Sequence, residues 1–358
     1  MIKYLLPVLL LGYGTVSAQV DTSKSNLSFS GYAEVYYSYD FNQPSNHDRP
    51  SFFYSHNRHN EFNLNLGFLK ASYNTARVRA NLALATGTYM NANYAAEPGV
   101  LKNVYEANAG VKISEKKNIW IDAGIFASHI GFEGAVSKDC WSLTRSILAD
   151  NTPYYESGAN ISYTSDNHKW LLSGLILNGW QHIKRPDANN TEAFGTQLTY
   201  TPNSKITLNY STFIGNDKPD TLKQMRYFNN FYGIFHITGK LHLTAGFDYG
   251  MEQKAKGSGD YNNWYSPVLI VKVIFNDKWS ASARGEYYVD KNGVIISTGT
   301  ANGFQTSGWS LNLDHSIRDN VIWRIEGRML NNRDKIFSKN ADAVNTNTFV
   351  TTSLAISF

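Results

Sequence analysis

The sequence lacks the features that mark several common protein classes. Its 358 residues include one cysteine, Cys140, which excludes a fold held together by internal disulfides. The formal net charge of +4 is too small to indicate a nucleic-acid-binding protein, so no nucleic-acid partner is expected. Beyond the N-terminal segment there is no run of about 18 apolar residues, which excludes a transmembrane helix. No Gly-rich phosphate-binding loop is present either, and no cofactor is expected.

The N-terminal segment, MIKYLLPVLLLGYGTVSAQ, has the pattern of a secretory signal peptide. Lys3 supplies the positive charge, residues 5–16 are largely apolar, and Val16-Ser17-Ala18 provides the small residues that a signal peptidase requires. The apolar part is too short to cross a bilayer as a helix. We therefore expect residues 1–18 to be a cleaved signal peptide and residues 19–358 to form a single domain.

Aromatic residues and long alternating segments are abundant. Aromatics make up 14% of the chain, with 23 tyrosines, a composition that favours strands. Polar and apolar residues alternate in segments that are longer than the roughly 5–6 residues of a typical strand in a soluble domain. We predict sixteen strands: 27–41, 60–73, 76–89, 103–113, 118–130, 154–165, 168–182, 192–201, 204–214, 225–238, 240–253, 262–275, 278–290, 304–317, 320–331 and 346–358.

The connections between these strands alternate strictly between short and long. Asn74-Thr75, Asp166-Asn167 and Arg318-Asp319 are examples of the short ones, whereas the longest connection covers residues 131–153. Outer-membrane barrels have this arrangement, with short periplasmic turns and long extracellular loops. The fold class predicted is therefore all-β: a transmembrane antiparallel β-barrel of 16 strands, located in the cell outer membrane and surrounded by its lipid.

The segment VIWRIEGRML shows how such a strand would be oriented. Arg324, Glu326 and Arg328 occupy every second position, and Trp323, Ile325, Gly327 and Met329 lie between and beside them. An arginine on the lipid face near the bilayer midplane costs about 2–4 kcal/mol, so the charged face is expected to point inward. The same alternation predicts a set of pore-lining residues: Arg77, Arg79, Asp248, Arg284, Glu286, Asp314, Arg324, Glu326 and Arg328. Strands 168–182 and 225–238 are apolar or aromatic on both faces, and their register is left open.

Two long stretches resemble a known family. They are SHNRHNEFNLNLGFLKASYNTARVRANLALATGTYMNANYAAE and GIFASHIGFEGAVSKDCWSLTRSILADNTPYYESG. Both are similar to the β-barrel porin family called OmpL-like, and the similarity extends over nearly all of the mature chain. The resemblance implies an outer-membrane porin. The terminal Phe358 also resembles the signal that barrel-assembly machinery reads, and we expect strand 346–358 to close the barrel against strand 27–41.

The connection 131–153 is the candidate for narrowing the channel. By analogy with sixteen-stranded diffusion porins it would fold inward, although packing on the outer rim is the alternative. We expect Ser137 to cap a helix, with Trp141, Leu143, Ile147 and Leu148 on one helical stripe. The residues expected at the constriction are His129, Glu133, Lys138, Asp139, Trp141, Arg145 and Asp150.

Three functional hypotheses follow. The first is a porin for passive diffusion of small hydrophilic solutes or ions, which is not an enzyme. A homotrimer is one assembly that the small outward residues Ala281, Ala283 and Gly285 would permit. The second is a barrel with a closed lumen whose loops bind a ligand or partner. The third is an outer-membrane hydrolase using His242 and Ser282. His47, His56 and His59 match no standard metal site, so no metal is expected.

Overall fold

The computed structural model describes residues 26–340 and 342–358, and its main feature is a closed antiparallel barrel of sixteen strands. The predicted signal peptide, residues 1–18, lies outside the described residues. The predicted fold class is confirmed. Within the described ranges, no helix is long and apolar enough to cross a membrane.

The barrel strands agree closely with the predicted segments. They are β1 (Leu27–Asp40), β2 (Phe62–Asn74), β3 (Val78–Thr86), β4 (Val104–Lys112), β5 (Asn118–Ala127), β6 (Tyr155–Thr164), β7 (Trp170–Leu177), β8 (Ala193–Asn203), β9 (Ile206–Gly215), β10 (Arg226–His236), β11 (Leu241–Gln253), β12 (Tyr261–Ile274), β13 (Trp279–Asp290), β14 (Phe304–Arg318), β15 (Val321–Asn332) and β18 (Thr346–Ser357). Each strand pairs with its neighbours along the chain, except that β18 pairs with β15 and β1.

The long connections contain the remaining elements. Two short strands, β16 (Phe337–Lys339) and β17 (Asp342–Val344), form a hairpin in the last long connection, which the sequence did not predict. The helices are α1 (Thr88–Asn93) and α2 (Ile147–Asp150), and short 3-10 turns cover Gly99–Asn103, Ser137–Asp139 and Asp220–Leu222.

The two ends of the described chain close the barrel as predicted. Tyr32 on β1 lies opposite Ser357 on β18. The N–H of Gly31 donates to the carbonyl of Phe358 at 2.7 Å, and the N–H of Phe358 donates back to Gly31 at 3.0 Å. The Phe358 ring lies directly against Gly31, where a Cβ atom would collide with it. Closure leaves no free sheet edge between the first and last strands.

The predicted register of β15 is also confirmed. Arg324, Glu326 and Arg328 are fully buried inside the barrel, whereas Met329 is half exposed on the outside. On the neighbouring β14, Trp309 and Leu311 point outward and are 64% and 72% exposed. Large exposed apolar side chains on the outer wall would be unfavourable in water and are expected where the wall faces lipid.

The two strands of undecided register are apolar on both faces because the inward side chains pack on the long connections, whereas the outward ones are on the wall expected to face lipid. On β7, Leu175 and Leu177 point inward and are buried, while Ile176 points outward. On β10, Phe228 is buried inside and Phe231 is exposed outside. The inward apolar side chains join a core cluster with residues of the long connections, among them Phe52, Phe53, Ile130, Ile147 and Ile296.

The prediction that a helix starts at Ser137 is wrong. Residues 137–139 form one 3-10 turn without a side-chain cap, because the Ser137 hydroxyl donates instead to Glu34 on β1. The helix in this connection is the single turn α2, and Ser146 caps it by accepting from the N–H of Ala149. The apolar residues of the segment are buried against the inner wall, so they follow the shape of the barrel rather than a helical stripe.

Candidate functional site

The connection between β5 and β6, residues 128–154, lies inside the barrel and is called the inner loop here. At its start, Ser211 on β9 donates to the carbonyl of His129 at 2.8 Å. In its middle, the N–H of Leu143 donates to Asn312 on β14 at 3.1 Å. Because β9 and β14 are far apart around the barrel, the loop crosses the interior between them.

Arg324 is the first of several charged wall residues that hold the inner loop. Its guanidinium pairs with Asp314 at 2.7 Å. It also donates to the main-chain carbonyls of Ser137, Cys140 and Trp141 in the loop. The fork of donors on one planar guanidinium suits this combination of a carboxylate and several carbonyls.

Arg284 on β13 and Arg328 on β15 bind the inner loop in a similar way. Arg284 donates to the carbonyl of Thr144 at 2.6 Å and pairs with Glu326 at 2.8 Å. Arg328 donates to the carbonyl of Arg145 at 2.8 Å. Glu326 in turn accepts from the N–H of Thr144, so one wall carboxylate binds both a wall arginine and the loop.

Glu286 on β13 is another charged wall residue that binds the inner loop. It pairs with Arg328 and accepts from the N–H of Ile147 at 2.7 Å, at the beginning of α2. We call the wall formed by β13, β14, β15, β18 and β1 the covered arc. Its inward charges face the interior as predicted, but they contact the main chain of the loop instead of open water. Buried charges persist only when they are paired and hydrogen-bonded, and the loop carbonyls and N–H groups supply those partners.

Arg145 holds the inner loop together from within. Its guanidinium donates to the carbonyls of Gly134 and Leu143 at 2.6 Å and to that of Ala135 at 3.1 Å. The side chain is fully buried. Glu133, also buried, accepts from the N–H of Ser146 at 3.0 Å. Neither residue, although both were expected at a constriction, is free to contact a passing solute.

His129 and Asp150 are also buried, one near each end of the inner loop. His129 Nδ1 lies 2.8 Å from Glu156 and its Nε2 lies 2.9 Å from the carbonyl of Thr212. Burial alone would lower the pKa of His129, but Glu156 and the Thr212 carbonyl raise it, and the net shift is upward. Burial raises the pKa of Asp150 to about 7, although the Tyr154 hydroxyl donates to its carboxylate at 3.0 Å.

The other expected constriction residues remain partly or fully exposed. Asp139 is exposed, and Lys138 and Trp141 are half-buried. The ammonium of Lys138 donates to Ser357 at 2.6 Å, near the end of β18. Among the residues expected at the constriction, these three are therefore the ones that water can reach.

The opposite wall, formed by β2 to β9 and called the open arc, contacts the inner loop at Glu156 and Ser211 but keeps several other polar side chains accessible. Lys70 pairs with Glu106, and Arg79 pairs with Asp122 at 2.6 Å. The Arg79 side chain is 35% exposed and that of Lys70 is 26% exposed. Further inward polar residues on this arc are half-exposed: Asn81, Asn108, Asn160, Ser173 and Gln197.

Two predicted pore-lining residues, Arg77 and Asp248, are not on the strands of the covered arc or the open arc. Arg77 precedes β3, in the turn after β2, and its guanidinium pairs with Glu115 in the next short turn, so it belongs to the rim. Asp248 is buried on β11 and accepts from Asn230 at 2.6 Å. Lys70 was not predicted, although its alternation with Leu69 and Ala71 already indicates an inward position.

A cavity of about 700 Å³ opens among the long connections. Its wall includes Asp40, Asp48, Arg49, Phe52 and Tyr54, together with residues of the last two long connections. Such a volume is typical of a site that holds a small solute.

The residues of the hydrolase hypothesis are not brought together. Ser282 donates to the carbonyl of Trp141 at 2.8 Å, and its oxygen lies 3.2 Å from that of Ser142. His242 forms a hydrogen bond with His236 on β10. Among the described residues, no hydrogen bond joins His242 to Ser282, as a base that activates a serine nucleophile would require.

Comparisons with known proteins agree with the barrel geometry. A family model described as "Putative beta-barrel porin-2, OmpL-like" matches residues 26–358. A search of curated proteins found no match.

Several solved porin structures share the fold at low sequence identity. An anion-selective porin from Comamonas acidovorans is 10% identical, with a TM-score of 0.62 over 93% of this chain and 99% of that one. The trimer form of OmpT from Vibrio cholerae is 10% identical, with a TM-score of 0.60 over 93% and 99%. Salmonella typhi OmpF in complex with daunomycin is 10% identical, with a TM-score of 0.58 over 93% and 97%. The chain therefore belongs to the β-barrel porin-2, OmpL-like family and is an outer-membrane porin.

Proposed function

We propose that small hydrophilic solutes and ions diffuse passively through the space between the inner loop and the open arc. The observation that carries this proposal is the contrast in exposure inside the barrel. The charged side chains of the covered arc form hydrogen bonds with the inner loop, whereas Lys70, Arg79 and several amides of the open arc remain accessible. Water-accessible polar side chains are what a hydrophilic path requires.

The two ion pairs on this path are each balanced. Lys70 and Arg79 supply two positive charges, and Glu106 and Asp122 supply two negative ones, arranged as adjacent pairs. A lining of paired opposite charges produces no strong field of one sign, so we expect weak ion selectivity. The cavity of about 700 Å³ among the long connections would collect solutes before they reach the inner loop.

Planar-bilayer conductance of the refolded mature chain tests this proposal. We expect a stable conducting level with a reversal potential near zero in a salt gradient. A correctly folded barrel that never conducts would contradict it. Heat-modifiable gel mobility provides the check on folding that makes a silent result interpretable.

The same measurement decides the second candidate, a closed barrel that binds a ligand or partner through its loops. The extensive burial of the long connections favours this candidate: Phe52, Phe53 and Ile296 pack inside with Ile147 of the inner loop. A folded but silent barrel would support it. Stable conductance with wild-type side chains would exclude it.

Assembly and export are proposed on separate grounds. Ala283, Gly285 and Gly327 line an outer-wall groove of about 730 Å³ beside Trp309 and Leu311, and three copies that each pack a neighbour into this groove would form a homotrimer. Sedimentation in detergent tests this, with a monomer as the contradicting result. Removal of residues 1–18 is tested by the mass of the protein purified from outer membranes.

A further inference from the structure

Two histidines face each other inside the barrel near its short-turn rim. His236 is the last residue of β10, His242 is the second residue of β11, and they lie directly opposite in the strand register. Their Nδ1 atoms are 2.7 Å apart, and the two rings meet at 78°. Both side chains are half-exposed.

The short distance between the two Nδ1 atoms indicates that a hydrogen bond joins the two rings. A hydrogen bond between two imidazole nitrogens requires one Nδ1 to carry a proton and the other to offer its lone pair. The proton therefore lies between the two Nδ1 atoms. If it is lost, the lone pairs of both nitrogens can point at the same place. Neutral imidazoles with converging lone pairs are the commonest metal ligands in proteins.

We propose that His236 and His242 bind a divalent first-row transition cation, such as Zn²⁺ or Cu²⁺, in place of this proton. Zinc–nitrogen bonds are about 2.0–2.1 Å long, so two nitrogens around a tetrahedral ion lie about 3.4 Å apart. The rings need to separate by less than an ångström from their present distance. Water molecules would complete the coordination, because the described residues offer no group of three or more metal-ligating side chains.

The surroundings of the pair moderate its affinity. The ring of Trp141 on the inner loop lies 6.0 Å from His242 and 6.4 Å from His236, centroid to centroid. On the other side, Lys272 on β12 lies directly opposite His242 in the register and contributes a positive charge. This charge disfavours a bound cation, so Lys272→Met should tighten metal binding.

Electron paramagnetic resonance of Cu²⁺ added to the folded, tag-free chain in detergent tests the site. We expect one site whose spectrum shows two nitrogen ligands, lost in both His236→Gln and His242→Gln. His182→Gln is the matched control, because His182 lies in a long connection near Asp217 and should leave the spectrum unchanged. A two-nitrogen signal that persists in the double variant His236→Gln/His242→Gln would overturn the proposal. A Cu²⁺ affinity that does not increase in Lys272→Met would also overturn it.

A functional consequence rests on the proposed diffusion path, whereas binding itself does not. Zn²⁺ added from the short-turn side should reduce the current of the wild-type channel and not that of His242→Gln. An open channel indifferent to Zn²⁺ would overturn the placement of the pair in the water path. A silent barrel that still binds Cu²⁺ through two nitrogens would contradict the proposed function and support the metal site.

Discussion

The covered arc and the open arc have the same alternating sequence pattern but different surroundings. Arg324 and Arg79 are both inward arginines paired with an aspartate on a nearby strand. Arg324 is fully buried because the inner loop lies over it, whereas the Arg79 side chain is 35% exposed. Alternation therefore establishes which side of the sheet a residue occupies, and the long connections establish whether that side is dry or wet.

The largest expected difference between the arcs is in the contribution of these two arginines to stability. Arg324→Met leaves the buried Asp314 without its arginine partner and removes the donors to the loop carbonyls of Ser137, Cys140 and Trp141. Breaking a buried pair from one side costs about 3–5 kcal/mol. Urea unfolding in lipid vesicles, followed by tryptophan fluorescence, measures the loss.

Arg79→Met is the matched control in the open arc. Its pair with Asp122 is partly solvated, and exposed pairs contribute about 0–1 kcal/mol. Equal losses of unfolding free energy for the two variants would mean that both arginines have the same environment, which would contradict a dry covered arc and a wet open arc.

A second comparison concerns apolar residues on opposite faces of the wall. Leu177 points inward beneath the long connections and is 1% exposed, whereas Leu82 points outward and is 54% exposed. Leu177→Ala should cost about 2–5 kcal/mol, because a rigid interior leaves a cavity. Leu82→Ala should cost less in vesicles, because lipid chains fill the space. The same unfolding assay compares them, and a greater loss for Leu82→Ala would be inconsistent with the assigned register.

These comparisons show what the sequence could and could not predict. Strand number, strand bounds and the inward charges of β15 follow from period-two alternation and from the cost of charge in lipid. The burial of Arg284 and Arg328 could not be predicted, because it depends on loop carbonyls whose positions no local pattern encodes. For the same reason β7 and β10 were ambiguous: their inward apolar residues pack on the loops, and only the folded loops distinguish the two faces.

The pH dependence of the inner loop gives a smaller expected effect. The folded-state pKa of Asp150, about 7, lies above its ordinary value of 3.8, because burial disfavours the carboxylate. The protonated form therefore stabilises the folded state. This stabilisation is fully present below pH 3.8 and is lost as the pH rises through about 7.

Asp150→Asn should remove that dependence. Unfolding free energies measured from pH 4 to pH 8 should fall less steeply for Asp150→Asn than for the wild type. Asp139→Asn, which changes an exposed residue of the same loop, serves as the control and should follow the wild-type slope. Identical slopes for Asp150→Asn and the wild type would show that Asp150 does not titrate in this range.

The smallest expected effect is on ion selectivity. Arg79→Gln removes one positive charge from the open arc and should shift the reversal potential toward cations, whereas Asp122→Asn should shift it toward anions. Both shifts should shrink at high salt, because screening is stronger there. Reversal potentials in a fixed salt gradient measure them, and shifts of the same sign would exclude these residues as lining charges.

Thiol accessibility tests the central distinction between the arcs most directly. Asn108 on β4 and Asn312 on β14 are both inward asparagines, but the first is half-exposed and the second is 4% exposed beneath the inner loop. In a Cys140→Ser background, Asn108→Cys should react rapidly with a charged, water-soluble thiol reagent in intact vesicles, and Asn312→Cys should react only after unfolding. Equal rates in the folded protein, or faster reaction of Asn312→Cys, would contradict an inner loop that covers one arc and leaves the other open to water.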